Sequence, residues 1–405
     1  MTTRVVIAGA GHAAGQVIAS LKQHKFDGQI VLVGKEPHLP YQRPPLSKKY
    51  LSGELEADRL HVKPESFYDD PAIELRLDTP IEAIDRDAKC LKIEDGDDIG
   101  YDKLVIATGS RVRRLPVEGA DLIGVHYLRS IEDVDAIRED MDAGKKAVII
   151  GAGYIGLEVA AVARTAGLNV IVIEMADRVM SRVVSPETSD FYQIEHTEKG
   201  VRFRLSTGVS SIDGKRRVKS VTTSEGEEIP ADLVIIGVGI QPNTELATGA
   251  GLDVDNGIVV DEHCRTSDPD IFAAGDCTAH PNAIYDRRLR LESVHNAVEQ
   301  AKTAAANICG KDLTYEQVPW FWSDQYDLKL QIAGLSEGYD DVVIRGNPAE
   351  RSFSCLYLRD RRLIAVDAIN APKDFVQSKQ LIADRVKLKP DKLANAATPL
   401  KDLAI

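Results

Sequence analysis

The chain has 405 residues, of which 43% are hydrophobic, and a net charge of −13 at pH 7. This size and composition predict a globular protein of two or three domains, and the negative charge argues against nucleic acid or an anionic membrane as a partner. No apolar run approaches the ~18 residues of a membrane helix, and the first strand-like run starts too early to leave room for a signal peptide. The five cysteines are scattered and include no CxxC pair. They predict a cytoplasmic protein without disulfides, iron–sulfur clusters or other metals.

The first predicted unit, within residues 4–35, is a strand, a glycine-rich turn, a helix and a second strand. Residues 5–8 are apolar and run into the sequence Gly9-Ala10-Gly11-His12-Ala13-Ala14. Such a turn opens a helix whose N-terminus binds a dinucleotide pyrophosphate. Lys35 and Glu36 end the second strand, and either side chain can face the adenosine. Several prolines in residues 37–75 then oppose a regular helix.

A second glycine-rich turn belongs to a strand–helix–strand unit over roughly residues 146–175. The sequence Gly151-Ala152-Gly153-Tyr154-Ile155-Gly156 follows an apolar strand, and Glu174 ends the next one. A carboxylate at that position accepts a hydrogen bond from the ribose 2′-hydroxyl and repels a 2′-phosphate, which favours NADH over NADPH. Two such turns predict two dinucleotides, and their natural combination is a bound flavin with a nicotinamide donor.

Three further strands are predicted to end at turns of small residues. The turns are Ala107-Thr108-Gly109 after residues 104–106, Gly239 after residues 233–236, and Gly275-Asp276 after residues 271–274. Parallel strands that end in this way face one crevice, where ligands bind in open α/β sheets. A long helix starts near Ser293, and strands and turns prevail from about Pro319 onward. We therefore predict an α/β fold in which a complete second domain interrupts the first, followed by a C-terminal domain.

Some reactive side chains have simpler interpretations. Cys277 has no second cysteine nearby in sequence, which favours a buried thiol over a redox centre. Lys48 follows a proline-rich segment and Glu158 lies in the first turn of a predicted helix, and sequence spacing alone does not pair them.

Four segments carry a family resemblance that extends from the first strand nearly to the C-terminus. They are Arg43-Pro44-Pro45-Leu46-Ser47-Lys48, Gly151-Ala152-Gly153-Tyr154-Ile155-Gly156-Leu157-Glu158, Leu291-Glu292-Ser293-Val294 and Phe321-Trp322-Ser323-Asp324-Gln325-Tyr326. In these segments the chain resembles the FAD-containing ferredoxin reductases that supply bacterial P450s and aromatic-ring dioxygenases, such as putidaredoxin reductase and palustrisredoxin reductase. The resemblance implies a glutathione-reductase-like fold with two Rossmann-type dinucleotide-binding domains and an α+β C-terminal domain. The FAD domain would comprise residues 1–110 and 240–318, the NADH domain residues 111–239, and the C-terminal domain residues 319–405.

The resemblance also implies roles for individual residues. Lys48 and Glu158 would pair near the reactive edge of the flavin, and Trp322 would lie by the ring system. Relatives often carry an aspartate at the position of Lys35, which leaves the adenosine contact there open. Together with the first turn, the expected FAD-binding residues are Lys35, Glu36, Arg43, Lys48, Ile81, Ala107, Thr108, Gly109, Arg129, Gly275, Asp276, Ser293, Val294 and Trp322. The expected NADH-binding residues are Gly151, Gly153, Ile155, Gly156, Glu174, Arg182 and Gly239.

The function that follows is reduction of a [2Fe–2S] ferredoxin by NADH through FAD. The protein would supply position and electrostatics, with Lys48 favouring the electron-rich flavin and Glu158 holding Lys48 in place. Because the ferredoxin is expected to be acidic, Arg287, Arg288 and Arg290 are nominated as a local docking face. The enzyme is expected to be a monomer or a weak dimer.

Two alternatives remain open from the sequence. One is an enzyme that reduces a small acceptor directly, such as an NADH oxidase or a monodehydroascorbate-type reductase. Its peroxidase branch is disfavoured because residues 39–43 contain no cysteine. The other is a non-catalytic, NADH-sensing flavoprotein scaffold similar to apoptosis-inducing factor.

Overall fold

The computed structural model describes residues 3–404 and divides the chain into two compact units. The first unit runs to Arg43 and adds Asp58–Arg111 and Gln241–Pro319. The second contains Pro44–Ala57, Val112–Ile240 and the chain from Trp320 onward. Each unit is thus assembled from separated stretches of sequence. Among the described residues, no helix has the length and apolarity needed to cross a membrane.

A five-stranded parallel sheet forms the centre of the first unit. Its inner strands are apolar at successive positions because both of their faces are buried. The helices His12–Gln23 and Val294–Ile308 pack on one face, so the predicted strand–turn–helix–strand unit and the long helix after Ser293 are confirmed. In spatial order the strands are Ile271–Ala273, Lys103–Ile106, Arg4–Ala8, Gln29–Val33 and Ile73–Arg76.

Smaller elements cover the opposite face of this sheet and complete the first unit. Two three-stranded sheets consist of Ile81–Asp85, Cys90–Ile93 and Ile99–Gly100, and of Ile258–Val259, Thr278–Asn282 and Arg287–Leu289. The short helix Glu245–Gly249 adds apolar residues to the same core. The proline-rich segment forms three single 3₁₀ turns in place of a regular helix, as its prolines predict. Glu65–Tyr68 lies in the first unit, Ala57–Leu60 at the boundary between the two stretches, and Pro44–Ser47 in the stretch that belongs to the second unit.

The second unit contains another five-stranded parallel sheet, with the helix Tyr154–Thr165 following its central strand. Two more helices, Ile131–Asp140 and Pro186–Glu198, begin at serine caps, Ser130 and Ser185. The sheet strands, in spatial order, are Arg202–Arg204, Asn169–Ile173, Lys146–Ile150, Leu233–Ile236 and Val125–Tyr127. A three-stranded antiparallel sheet consists of Val209–Gly214, Val218–Thr223 and Glu228–Pro230. Two short strands, Ser110–Val112 and Ile240–Pro242, lie where the chain passes between the units.

An antiparallel sheet dominates the C-terminal part of the second unit, as the strand-and-turn pattern after Pro319 predicts. Its five strands, in spatial order, are Trp320–Gln325, Leu328–Gly334, Arg362–Ile369, Ser352–Arg359 and Asp341–Asn347. The helices of this part are Pro372–Ala383 and Pro390–Leu393, with 3₁₀ turns at Pro348–Glu350 and Leu400–Leu403. Arg345 is 2% exposed and pairs with Asp374 while it donates to backbone carbonyls of the last segment, including that of Thr398 at 2.6 Å. These bonds fix a chain end that has little regular structure.

Candidate active site

The first glycine-rich turn has a backbone that only glycine fits and an open space beside it. Gly9 has a φ of +116°, and a Cβ there would lie 2.2 Å from the Ala107 carbonyl oxygen. Around a Cβ placed at Gly11, by contrast, no described atom beyond its chain neighbours lies within 4 Å. Gly11 is also the N-cap of the helix His12–Gln23 and makes no side-chain cap bond to that helix end. A helix N-terminus that opens onto space beside a glycine is a suitable binding position for an anion.

The second turn repeats this arrangement in the other unit. Gly151 has a φ of +105°, and a Cβ there would lie 2.4 Å from the Gly237 carbonyl oxygen. A Cβ at Gly156 would lie 2.1 Å from the Gly151 oxygen, so the helix can approach the turn closely only with glycine there. Gly153 again opens onto free space, with nothing described within 4 Å. Both turns therefore fit a dinucleotide pyrophosphate, each by an open glycine at a helix N-terminus.

Adjacent strands bring the small-residue turns of the first unit to one edge of its sheet. The strand Lys103–Ile106 lies between Arg4–Ala8 and Ile271–Ala273, and all three run in parallel. The Ser110 hydroxyl donates to Asp276 at 2.9 Å, and the Gly275 N–H donates to Gln300 at 2.8 Å. Asp276 is thus held in place beside the first turn, where a carboxylate can accept a hydrogen bond from a cofactor hydroxyl.

Glu36 and Lys35 differ sharply in their surroundings at the end of the second strand. Arg43 pairs with Glu36 at 2.6 Å, and Tyr41 donates its hydroxyl to the same carboxylate. Lys35 is exposed. The structure therefore brings Glu36 and Arg43 together, and which of Lys35 and Glu36 faces the adenosine stays a prediction.

Lys48 and Glu158 form a buried ion pair, although 110 positions separate them in the sequence. The Lys48 Nζ lies 2.7 Å from the Glu158 carboxylate, and the Glu158 side chain is 1% exposed. The hydroxyls of Ser47 and Ser323 donate to the same carboxylate, the latter at 2.6 Å. Burial raises the pKa of Glu158, and Lys48 and the two hydroxyls counteract this rise.

The carboxylate of Glu174 lies on the second glycine-rich turn itself. It accepts hydrogen bonds from the N–H groups of Ala152 at 2.7 Å and Ala176 at 2.9 Å. Ile155 is 42% exposed in the first turn of the helix, and the exposed Arg182 has a guanidinium nitrogen 4.0 Å from the Cβ position of Gly239. These predicted NADH-binding residues therefore surround one glycine-rich turn.

The remaining predicted site residues are divided between the two units. Ala13 and Ala14 are buried in the first helix, which begins at His12, and Ser293 caps the helix that begins at Val294. Ile81 starts a strand of the first unit, and the Thr108 hydroxyl donates to the Asn243 carbonyl at 2.7 Å. Trp322 and Arg129 belong to the second unit, and the Trp322 ring lies 5.5 Å from that of Trp320. Their roles toward a cofactor stay predictions.

The arginines nominated for docking are largely engaged within the protein. Arg288 donates to the carbonyls of Val260 and Ala279, at 3.1 and 3.0 Å. Arg290 is 15% exposed and pairs with Glu292 at 2.5 Å. Arg287 and Arg288 are exposed, and Arg290 is half-buried. The ion pair of Arg290 with Glu292 reduces the positive charge that the cluster offers to a partner.

All five cysteines are free, and burial raises the pKa of the Cys277 thiol. Among the described residues, no group of three or more histidine, cysteine, aspartate or glutamate side chains is arranged to hold a metal ion. Sequence reasoning did not single out Ser47, Ser323 and Gln300 individually, although two of them lie inside the segments that carry the resemblance. Ser47 directly precedes Lys48 and Ser323 directly follows Trp322, so the two predicted site residues were the signal that could have identified both serines.

Comparison with known proteins places this pair of turns in a family. Residues 3–301 match the pyridine nucleotide-disulphide oxidoreductase model, and residues 320–404 match the reductase C-terminal model. The chain belongs to the pyridine nucleotide-disulphide oxidoreductase family. Rhodocoxin reductase of Rhodococcus erythropolis is 46% identical over 398 residues, which cover 98% of this chain and 93% of that one.

Two solved structures share the fold over nearly the whole length. The putidaredoxin reductase in its covalent complex with putidaredoxin is 44% identical with a TM-score of 0.96, covering 99% of this chain and 98% of that one. The ferredoxin reductase for the CYP199A2 system of Rhodopseudomonas palustris is also 44% identical, with a TM-score of 0.95 and coverage of 99% and 100%. The resemblance to ferredoxin reductases and the glutathione-reductase-like fold class are therefore confirmed.

Proposed function

We propose that the protein is an FAD-dependent NADH:ferredoxin reductase that passes electrons singly to a [2Fe–2S] ferredoxin supplying a P450 or related oxygenase. The observation that carries the proposal is the open space at Gly11 and Gly153, each at an uncapped helix N-terminus. The similar proteins support a ferredoxin as the electron acceptor, because one is crystallised with putidaredoxin and another serves a CYP199A2 system.

The first unit would hold FAD. The N–H groups that follow Gly11 would bind the pyrophosphate, and Asp276, oriented by Ser110, would accept a hydrogen bond from a cofactor hydroxyl. When bound, FAD supplies the chemistry that divides a two-electron donor into two one-electron transfers. The pair of Glu36 and Arg43 would close the adenosine end of the site.

The second unit would bind NADH as a substrate. The turn at Gly153 would bind its pyrophosphate, and Glu174 would accept a hydrogen bond from the ribose 2′-hydroxyl. Since Glu174 is already tied to two backbone N–H groups, its charge is fixed where a 2′-phosphate would be repelled.

Lys48 and Glu158 would supply the electrostatics of the transfer step. An ammonium group favours negative charge that develops nearby, and we propose that Lys48 does this for the bound flavin. Glu158 fixes the ammonium by an ion pair of 2.7 Å, and its two hydroxyl partners fix Glu158.

The route of the electrons would not include a dithiol. All five cysteines are free, and the burial and raised pKa of Cys277 disfavour its thiolate. Such a set of thiols also favours the reducing cytoplasm as the location of the enzyme.

The test mixes anaerobic FAD-loaded protein with NADH and an excess of oxidised [2Fe–2S] ferredoxin, and follows the iron–sulfur absorbance. We expect two ferredoxins to be reduced for each NADH oxidised, because each ferredoxin accepts one electron and NADH provides two. A protein that oxidises NADH rapidly in air but leaves ferredoxin oxidised would instead be a direct reductase of small acceptors. NADH and ferredoxin without the protein form the control.

A further inference from the structure

The Glu158 carboxylate is the end of a longer chain of hydrogen bonds within the second unit. The Ser323 hydroxyl lies 2.6 Å from Glu158, and the Gln325 amide nitrogen lies 3.2 Å from the Ser323 oxygen. His196 Nε2 lies 2.8 Å from the Gln325 amide oxygen, and the Tyr326 hydroxyl lies 3.3 Å from His196 Nδ1. Every member except Tyr326 is buried. The chain therefore leads from a half-buried hydroxyl to a buried charge.

Local structure explains how these residues meet. Ser323 and Gln325 are two positions apart on the strand Trp320–Gln325, so both side chains point to the same buried face. His196 lies near the end of the helix Pro186–Glu198. Tyr326 has a φ of +55°, which is rare for a bulky residue, and this turn places its ring 5.0 Å from the imidazole.

The negative charge of Glu158 determines which group donates and which accepts in every bond of this hydrogen-bond chain. A carboxylate only accepts, so Ser323 must donate to it and must itself accept from the Gln325 NH₂ group. The Gln325 oxygen then faces His196, whose Nε2 must carry a proton. Burial lowers the pKa of His196 to about 4, so the ring is neutral at pH 7, and its bare Nδ1 accepts from Tyr326.

We infer that Tyr326, His196 and Gln325 are positioning residues, which act through Ser323 to hold the Glu158 carboxylate against Lys48. A flipped Gln325 amide would turn its oxygen toward Ser323 and draw the serine proton away from Glu158. The Nε2-protonated form of His196 opposes that flip, and the Tyr326 hydroxyl favours this form of the ring. The effect on hydride transfer rests on the proposed function, whereas the coupling along the chain does not.

The first test is ¹⁵N NMR of the purified full-length protein labelled in its histidines. We expect the signal of His196, assigned by its loss in His196→Gln, to report a neutral ring with its proton on Nε2. Glu158→Gln removes the charge that orients the chain, so the Nδ1-protonated form should then appear at His196. If His196→Gln does not fold, Tyr326→Phe assigns the signal, because this variant removes only a half-exposed hydroxyl in contact with the ring.

The matched control is Glu195→Gln, which removes a carboxylate next to His196 in sequence but outside the chain. Glu195 pairs with Arg351 at 2.9 Å, and its loss should leave the His196 signal unchanged. An Nδ1-protonated or charged His196 in the wild type would overturn the inference. An equal response to Glu195→Gln and Glu158→Gln would overturn it as well.

The second test measures the consequence for the proposed reaction. Gln325→Met keeps the side-chain size but removes both hydrogen bonds, and we expect flavin reduction by NADH to slow about tenfold with unchanged FAD content. Tyr326→Phe should slow it less, and Gln380→Met, on the exposed surface of the helix Pro372–Ala383, should not slow it. Unchanged rates of flavin reduction in both Gln325→Met and Tyr326→Phe would contradict the positioning role. A failure to reduce ferredoxin would instead contradict the proposed function and would leave the NMR coupling intact.

Discussion

The two glycine-rich turns share a backbone hydrogen bond to the neighbouring strand and differ in the carboxylates beside them. The N–H of Gly9 donates to the Val33 carbonyl and that of Gly151 to the Ile173 carbonyl, both at 2.8 Å. Glu36, however, is neutralised by Arg43, whereas Glu174 receives only N–H groups and has no cationic partner within residues 3–404. The carboxylate beside the first turn is thus paired with a cation, whereas the one beside the second turn keeps its negative charge.

The turns also differ at the third position of the motif. Ala14 is accommodated in the first helix, where it is fully buried. At Gly156 a Cβ would lie 2.1 Å from a backbone oxygen, so alanine is excluded there. The third position therefore accommodates alanine in the first motif and only glycine in the second.

The largest expected effect comes from filling the open glycine positions. Gly11→Ala and Gly153→Ala meet no described atom of the protein, so both variants should keep the wild-type melting temperature within a few degrees. Gly11→Ala should purify without FAD. Gly153→Ala should retain FAD while its KM for NADH rises by about 100-fold, since the methyl group occupies the pyrophosphate position.

The control for the glycine pair is Gly249→Ala, which also opens onto free space but lies away from both turns. It should alter neither nucleotide. Normal binding of both nucleotides by Gly11→Ala and Gly153→Ala would contradict the assignment of a nucleotide to each turn, because the open spaces would then have no ligand.

The next effect concerns the buried charge of the second unit. Lys48→Met leaves Glu158 buried without its cation, so unfolding should require about 3 kcal/mol less free energy, and the carboxyl should become protonated. The variant should still bind FAD but reduce it more slowly with NADH. Chemical denaturation and stopped-flow absorbance measure the two effects.

A double variant separates charge from packing at this pair. Combining Lys48→Met with Glu158→Gln removes both charges and should recover most of the lost stability. If the double variant is as unstable as Lys48→Met alone, the loss comes from packing and the ion pair is not its cause.

A smaller effect distinguishes the two carboxylates. Glu174→Gln should reduce the ratio of kcat/KM for NADH over NADPH by about tenfold, because repulsion of the 2′-phosphate disappears. Glu36→Gln should leave that ratio unchanged and weaken FAD retention. An unchanged NADH preference in Glu174→Gln would show that selectivity comes from another group.

The smallest effect is expected at Asp367, a buried carboxyl that, unlike Glu158, has no cationic partner in the described part of the chain. Burial raises the pKa of Asp367 to about 7, although hydroxyls of Tyr357 and Thr188 counteract the rise. The folded state therefore binds a proton more tightly than the unfolded chain, and stability falls as the pH rises from about 4 to 7. Asp367→Asn should flatten this decline by a few degrees in melting temperature, and Asp360→Asn, on the surface, should not.

Local rules predicted much of the fold. Uninterrupted apolar runs such as residues 147–150 identify buried parallel strands, and glycines with positive φ mark the turns that follow them. The helices Ile131–Asp140 and Pro186–Glu198 were not predicted, although the capping box of Ser130 with Asp133 was a readable signal. Both helices are rich in acidic residues, so their apolar periodicity is weak.

The candidate site was less accessible to local rules. The two glycine-rich turns can be predicted from the sequence because phosphate binding needs glycine at fixed spacing. The pairing of Lys48 with Glu158 depends on how distant segments fold together, and it came from the family resemblance. Nothing in the spacing of Ser323 and His196 along the chain predicts that they belong to one network, since tertiary packing alone brings them together.

We propose that one chain binds FAD at its first turn and accepts hydride from NADH bound at its second. An anaerobic titration of the FAD-loaded protein with NADH, followed by the visible absorbance of the flavin, tests it directly. We expect bleaching that is complete at one NADH per FAD. A colourless protein that takes up no FAD, or a bound flavin that stays oxidised in excess NADH, would contradict it.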